Sequence, residues 1–351
     1  MVLERFKEGQ IRQIVGLLNR DVIPDLLERL EGRLNRIASR GFDAGVQTTR
    51  RFRDMIAAVD VVIESGRRLL AVELREDLFG LARREAQWQS NRLAQAFSGF
   101  LPPDFSFDVP SPALLRSIVT SRPMRGRFLR DEWRDWDRRT RVRVRRAINV
   151  GLAEGDSVAE IVRRLRGTRA QNFADGVLQA SRHDAARIVR TAVNHVSSHA
   201  RQATFAENDD VVDRVQWVST LDLRTSEICA ALDGRTFALR SGPRPPAHHQ
   251  CRSTIVPVVK PFSELGIPGL RDIERNGSRH AREVFTGRVP ERVTFPEWWR
   301  GLSKAKQNEV FGPGKAALLR EGRISFRQLI DQRLRPLTLE QLERVAESVA
   351  A

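Results

Sequence analysis

Residues 217–257, WVSTLDLRTSEICAALDGRTFALRSGPRPPAHHQCRSTIVP, hold both cysteines of the chain, Cys229 and Cys251, and two of its six histidines, His248 and His249. Around them lies a dense run of Gly, Pro, Ser and Asp, the residues that make turns. Residues 211–218 and 253–259 are rich in Val, and TFAL at 236–239 lies between them. Each reads as a strand, so the stretch is a small sheet whose loops carry the chemistry-bearing side chains. Pro243, Pro245 and Pro246 stiffen the loop that leads to His248.

A zinc reading needs four ligands in tetrahedral reach. Cys229, His248 and Cys251 supply three, and the fourth would be His249, Asp222 or water. Such a site contributes on the order of 10 kcal/mol to folding a loop-rich unit, more than three short strands gain alone. The other readings are a Cys229–Cys251 disulfide and two packed thiols. Asp222, Arg224 and Thr225 read as a carboxylate capping the turn that follows it, with the arginine paired to an acid such as Asp233. A hydrolytic centre using Asp222 and Asp233 would be the catalytic alternative. No phosphate loop or nucleophile elbow accompanies it, so the structural role is the expectation.

Upstream the pattern is helical. Ile11, Ile14, Val15, Leu18, Val22, Leu26, Leu27, Leu30, Leu34 and Ile37 recur every three or four residues, with Pro24 placed to bend or split the helix. Val59, Val62, Ile63, Leu69, Leu70, Leu74, Leu78 and Leu81 form a second stripe running on past Gly66 and Gly80. Residues 99–112 are rich in Pro, Ser and Asp, and Ser111-Pro112 starts another helix. Ser157 with Glu160 has the form of a capping box, and that helix stops at Gly167. Residues 181–204 make a further helix, on which His195 and His199 share a face without an acid that would complete a metal motif.

From Arg122 to Arg146 eleven arginines are interleaved with Trp133 and Trp136. Acids intervene mainly in the first half, which leaves Arg138, Arg139, Arg141, Arg143, Arg145 and Arg146 unpaired locally. They are candidates for a surface that tracks a nucleic-acid backbone, against a solvated helix whose tryptophans face the core. The net charge of +16 comes almost wholly from arginine, lysine occurring only at positions 7, 260, 304, 306 and 315. Arginine makes bidentate phosphate contacts, and a polyanionic partner fits. A GC-rich genome would explain the preference for arginine over lysine but not the sign of the charge. No apolar run approaches the ~20 residues that span a bilayer. The first ten residues lack the apolar core of a secretory signal, and two cysteines are too few for a disulfide framework, so synthesis in a cytoplasm and no membrane partner are expected. No helix–turn–helix pattern supports a sequence-reading DNA regulator.

Trp217, then Asp222, Arg224 and Thr225, Cys229, Asp233-Gly234, and Pro245-Pro246 with His248, Cys251 and Arg252 resemble, in this order, the signature of the phage Mu F-like minor head (head morphogenesis) protein family. Arg190-Thr191 on the preceding helix is similar to the same family. So is a tail block of Trp298-Trp299, Gln307, Val310 to Pro313, Lys315, Gly322, Ile324-Ser325 and Leu337 to Leu342. Many members end the motif Cys-Arg-Cys; here the last position is Ser253, a poor ligand. The resemblance implies a non-enzymatic minor capsid protein of the virion. It would act in the phage head with the portal protein and capsid or scaffold proteins, contacting double-stranded DNA without sequence preference. Some relatives carry a C-terminal toxin domain, and none is expected after this tail block. The alternative is a metal-dependent nuclease or hydrolase centred on Cys229, His248 and Cys251. The fold expected is α+β, a mostly α-helical N-terminal two thirds followed by a small β-containing Cys/His module and a short helical tail. Its segments would be a helical domain (1–100), a linker (101–122), a basic helical region (123–205), the Cys/His core (206–260) and a connector with the tail block (261–351).

Overall fold

The computed structural model describes residues 9, 12–39, 46–97, 106–261, 264–265, 282–284, 287–289 and 293–350. The chain is mostly helical with a small antiparallel sheet, the α+β class that the sequence indicates. Contacts divide it into two compact units, neither of them a continuous stretch: Met1–Leu81 with Val119–Val193, and Ala82–Ile118 with Asn194–Ala351.

The first unit holds a π-helical turn (Leu18–Val22), α1 (Ile23–Ala38), the start of α2 (Val46–Ala96), the end of α3 (Pro112–Thr120), α4 (Leu129–Glu154), α5 (Val158–Arg166) and the start of α6 (Leu178–Glu207). Ile14, Leu18, Val22, Leu26, Leu27, Leu30 and Leu34 are buried, as a stripe at helical spacing requires. Ile11 and the side chain of Ile37 lie outside the described residues. Pro24 does not split this helix. The ladder widens into the π turn just upstream, which makes room for a ring and a missing N–H. On α2 the second stripe is buried except at Leu69, which is 40% exposed and lies on the outer face. Gly66 allows close packing: a Cβ there would collide with Val22 Cγ1 and lie 3.2 Å from its Cγ2. Ser157 caps α5, accepting from the Glu160 N–H while its own N–H donates to the Glu160 carboxylate at 2.7 Å.

The second unit is built on β1 (Val212–Val218), the middle strand of a sheet ordered β2-β1-β3, with β2 spanning Thr236–Ala238 and β3 Thr254–Val259. Both neighbours pair antiparallel to β1, and a register shift interrupts the β1–β3 ladder between Val212 and Arg214. Between β1 and β2 lies α7 (Glu227–Leu232), capped by Ser226. The expected connector lies largely outside the described residues; within it β4 (Arg282–Val284) and β5 (Gly287–Val289) pair. The tail is α8 (Phe295–Arg300), α9 (Lys304–Phe311), α10 (Pro313–Arg320), a 3-10 turn at Phe326–Leu329 and α11 (Leu339–Ala350).

Two apolar clusters fill this unit. Leu93, Phe97, Phe107 and Phe205 pack with Val212, Val215 and Ile255 of the sheet. Trp217, Leu221, Cys229, Leu232 and Cys251 pack with Phe295, Trp298, Trp299, Phe311, Leu319, Phe326 and Leu342. The tail is therefore part of the same core as the Cys/His loops. Its bulk is aromatic, with Phe295, Trp299, Phe311 and Phe326 meeting edge-on or tilted at centroid distances of 5.3–6.2 Å. Ser111 starts α3 as expected, its Oγ accepting from the Leu114 N–H at 3.2 Å, although residues 98–105 are outside the described set. A buried ion pair joins the end of α2 to α6 and the sheet: Arg201 donates to Glu85 at 2.7 and 2.8 Å, to the Ile255 carbonyl at 3.0 Å and to Thr254 Oγ1.

Candidate metal centre and arginine-rich helix

Cys229 sits in the first turn of α7, His248 in the loop after Pro245 and Pro246, and Cys251 three residues further on, just before β3. The fold brings the three together. Cys229 Sγ lies 3.1 Å from His248 Nε2 and 3.7 Å from Cys251 Sγ, and all three ligand atoms fall within 4.8 Å of one another. Both cysteines are buried free thiols, and His248 is half-buried. The disulfide is therefore not formed, the sulfurs being well beyond the ~2.05 Å of a bond.

Each ligand is held from behind. His248 Nδ1 donates to the His249 carbonyl at 2.8 Å, and the Cys251 N–H donates to the His248 carbonyl at 3.2 Å, closing the turn between them. Asn194 Nδ2 of α6 donates to the Cys251 carbonyl at 2.6 Å, and Ser219 Oγ donates to the Cys229 carbonyl at 2.8 Å. Ser226 Oγ accepts the Cys229 N–H at 3.3 Å, and the Ser253 hydroxyl donates to Ser219 Oγ at 3.3 Å. The hydrogen bond from Cys229 lowers Cys251 to about 4, against burial and with help from His248. The same bond, with burial, pushes Cys229 up.

Asp222 and His249, the expected fourth ligands, are not in this group. Asp222 accepts from the Arg224 N–H at 3.0 Å, from Thr225 Oγ1 at 3.2 Å and from both ends of the Arg252 guanidinium, one at 2.7 Å. Burial works to raise its pKa, but Arg252, with the Arg224 N–H and Thr225, outweighs it and holds the carboxyl below its ordinary value. Asp222 is the turn cap that the sequence suggests, and it also pairs with Arg252, which the sequence reading did not foresee. Arg224 is 84% exposed, 4.0 Å from Asp222, and is not paired with Asp233.

Asp233 has another task. Its two carboxylate oxygens accept the Ser219 N–H at 2.6 Å and the Phe295 N–H at 2.7 Å, tying the end of β1 and the start of α8 to the end of α7. Trp217 is buried with its indole N–H on Ser219 Oγ at 2.9 Å, and Gly234 turns the chain at φ 77° so that its N–H meets the Trp217 carbonyl at 2.9 Å. Asp222 accepts from four donors and Asp233 from one backbone N–H on each oxygen, so both carboxylates hold backbone in place.

The helical histidines stay outside the centre. His195 and His199 stack edge-on with centroids 4.4 Å apart, and His195 is buried rather than on the surface. The residue that sequence reasoning missed is Asn194. Its trace was a polar series at three- and four-residue spacing on a long helix, Thr191, Asn194, Ser198 and Arg201, all buried in the fold.

Within the first unit, Trp133 and Trp136 on α4 are fully buried, and Trp136 Nε1 donates to the Ser181 carbonyl at 2.8 Å. Of the arginines expected to be unpaired locally, Arg138 and Arg141 do find acids on their own helix, and Arg139, Arg141, Arg143 and Arg145 reach acids on other helices. Arg139 and Arg143 reach Asp184 of α6 at 3.5 and 2.9 Å. Arg141 reaches Asp60 and Glu64 of α2 as well as Asp137, and Arg145 pairs with Asp60. Arg138 pairs with Asp135 at 3.3 Å. Arg146 is exposed, with no ion pair among the described residues.

No curated protein and no solved structure gives a match to this chain. A family model does: residues 142–256 match the one described as Phage Mu protein F like protein. That span begins within α4 and ends in β3, and it contains Asn194, Asp222, Cys229, Asp233, His248, Cys251 and Arg252. Residues 142–256 are thus similar to the phage Mu protein F like family, the one whose signature the sequence resembles.

Proposed function

We propose that the protein is a minor head protein of a tailed phage or prophage, acting without turnover in head morphogenesis at the portal and inner capsid. The observation that carries this reading is the family match over 142–256, the segment that holds the Cys/His loops, their backing helix, β1, β2 and the start of β3. Its partners would be the portal protein, capsid or scaffold proteins and packaged DNA, and its final place the virion. Among the described residues no helix is long and apolar enough to cross a membrane.

The net charge of +16 supports the DNA contact. Each phosphate neutralised releases counterions and steepens the salt dependence of binding by about −0.9 in log–log slope. An arginine already paired inside the fold adds less net charge to a surface. Arg139, Arg141, Arg143 and Arg145 are so engaged, which concentrates the contact on Arg146 and the exposed Arg138. Coexpression with portal, scaffold and capsid proteins tests the assembly role: the chain should co-sediment with procapsids and be lost when the portal is omitted. Arg138→Ala with Arg146→Ala should weaken binding to double-stranded DNA and flatten its salt slope by up to ~2, where unchanged binding and slope would remove the DNA contact. A hydrolase centred on Asp222 and the Cys/His group is disfavoured by the four donors that Asp222 already accepts. Chelator-sensitive DNA cleavage by the purified chain would reinstate it.

A further inference from the structure

We propose that Cys229, His248 and Cys251 form a binding site for one thiophilic divalent cation, zinc by ligand preference, with three protein ligands and a fourth position completed by water beside Ser253. Geometry carries this. Ligands at Zn–S distances of about 2.3 Å in a tetrahedron stand about 3.8 Å apart. The two sulfurs are 3.7 Å apart, so they already hold that spacing. The Sγ–Nε2 separation of 3.1 Å would open by only about half an ångström to admit the ion. Closing the sulfurs to a disulfide would need a movement of more than ~1.5 Å.

The chemistry of the surroundings agrees. Two thiolates and an imidazole are a soft donor set that suits zinc and excludes calcium and magnesium. His248 donates from Nδ1 to a backbone carbonyl, the arrangement that turns the Nε2 lone pair to a metal. Backbone holds from Asn194 and Ser219 fix both cysteines from outside the loop. His248 is half-buried, which gives the ion an entry path.

The fourth position is the specific part of the proposal. Asp222 is held by Arg252, and His249 is exposed and outside the group. Ser253 is 1% exposed, next to Cys229, with its hydroxyl 3.3 Å from Ser219 Oγ. A cysteine is nearly isosteric there and would supply a fourth strong ligand. The site joins α7, the proline loop and the start of β3, so its role is to fasten three segments. It stands on the geometry alone, and its failure would leave the head-assembly reading untouched.

The test is cobalt(II) titration of the full chain, purified metal-free in the presence of a non-thiol reductant, followed by competition with zinc. One equivalent should bind with thiolate-to-cobalt charge transfer and the strong visible bands of a four-coordinate ion, and zinc should displace it. Cys251→Ser and His248→Ala should each lower affinity at least tenfold, and His249→Ala should leave it within a factor of about two. Ser253→Cys should raise affinity at least tenfold, a gain that misfolding cannot imitate. No stoichiometric binding by the reduced chain would overturn the site. So would binding indifferent to Cys251→Ser, and an affinity unmoved by Ser253→Cys would overturn the fourth position.

Discussion

The buried pair of Glu85 and Arg201 offers the sharpest energetic test of how the centre is held. Glu85 is 4% and Arg201 8% exposed at the side chain, and they meet at 2.7 Å. Gln89 also donates to Glu85 at 2.7 Å, while Arg201 donates onward to Thr254 and the Ile255 carbonyl on β3, three and four residues after Cys251. Removing one partner strands the other charge away from water, which costs about 3–5 kcal/mol. Glu85→Leu and Arg201→Met should therefore each lower the urea midpoint by that equivalent, followed by tryptophan fluorescence with the m-value checked. In the double variant neither charge remains. What is lost is the donor to the Ile255 carbonyl and a partner for Gln89, about 1–3 kcal/mol. The double variant should thus be no less stable than either single one, with a coupling energy of about 3 kcal/mol or more. Costs that add within about 0.5 kcal/mol would refute the idea that these two side chains act as one buried unit.

Gly66→Ala gains up to about 1 kcal/mol of helix propensity but forces a methyl into Val22, and overpacking at about 1–3 kcal/mol should win. Val22→Ala in the same chain should relieve the clash, and a stabilised Gly66→Ala single variant would contradict the close approach. Asp233→Ala loses two charge-assisted hydrogen bonds, each worth about 1.5–3 kcal/mol, and should speed proteolysis ahead of Phe295. Asp233→Asn, which keeps one acceptor, should fall between wild type and Ala. The pH dependence follows from Asp222, whose folded pKa is depressed. Its contribution is present above the unfolded value of about 3.9 and is lost as pH falls through the lower folded value, so Asp222→Asn should flatten the acid limb of stability there. An unchanged acid limb would deny that the Arg252 pairing matters.

Local patterns in the sequence carried the elements well, because strands, caps and apolar stripes are written in neighbouring residues. Ser157 with Glu160, the Val-rich strands around β1 and the stripe from Ile14 to Leu34 all lie where periodicity and capping place them. The convergence of Cys229, His248 and Cys251 was legible too, since one short stretch holds all three. Pairings between distant segments were not legible. Arg143 and Arg145 look unpaired along α4, because Asp184 and Asp60 come from other helices 41 and 85 residues away. The same limit hid Arg252 as the partner of Asp222, 30 residues on, and Asn194 behind Cys251.

The family-matched segment ends at Val256, but its core does not. Trp217, Cys229 and Leu232 are buried against Phe295, Trp299 and Phe326, and Asp233 anchors the first N–H of α8. Lys315 of α10 repeats the tie from the other side, bridging Glu227 at 2.8 Å and the Leu337 carbonyl at 2.5 Å. The helix that carries Cys229 is thus clamped by the tail at both ends, Glu227 at its first residue and Asp233 just past its last. Position within the cluster is set by that clamp on one side and by Asn194 and Arg201 on the other, before any ion enters. A metal would then close the one edge that these contacts leave to a loop, the approach of His248. The placing of Cys229 thus depends on residues 295–342, which lie outside the family match.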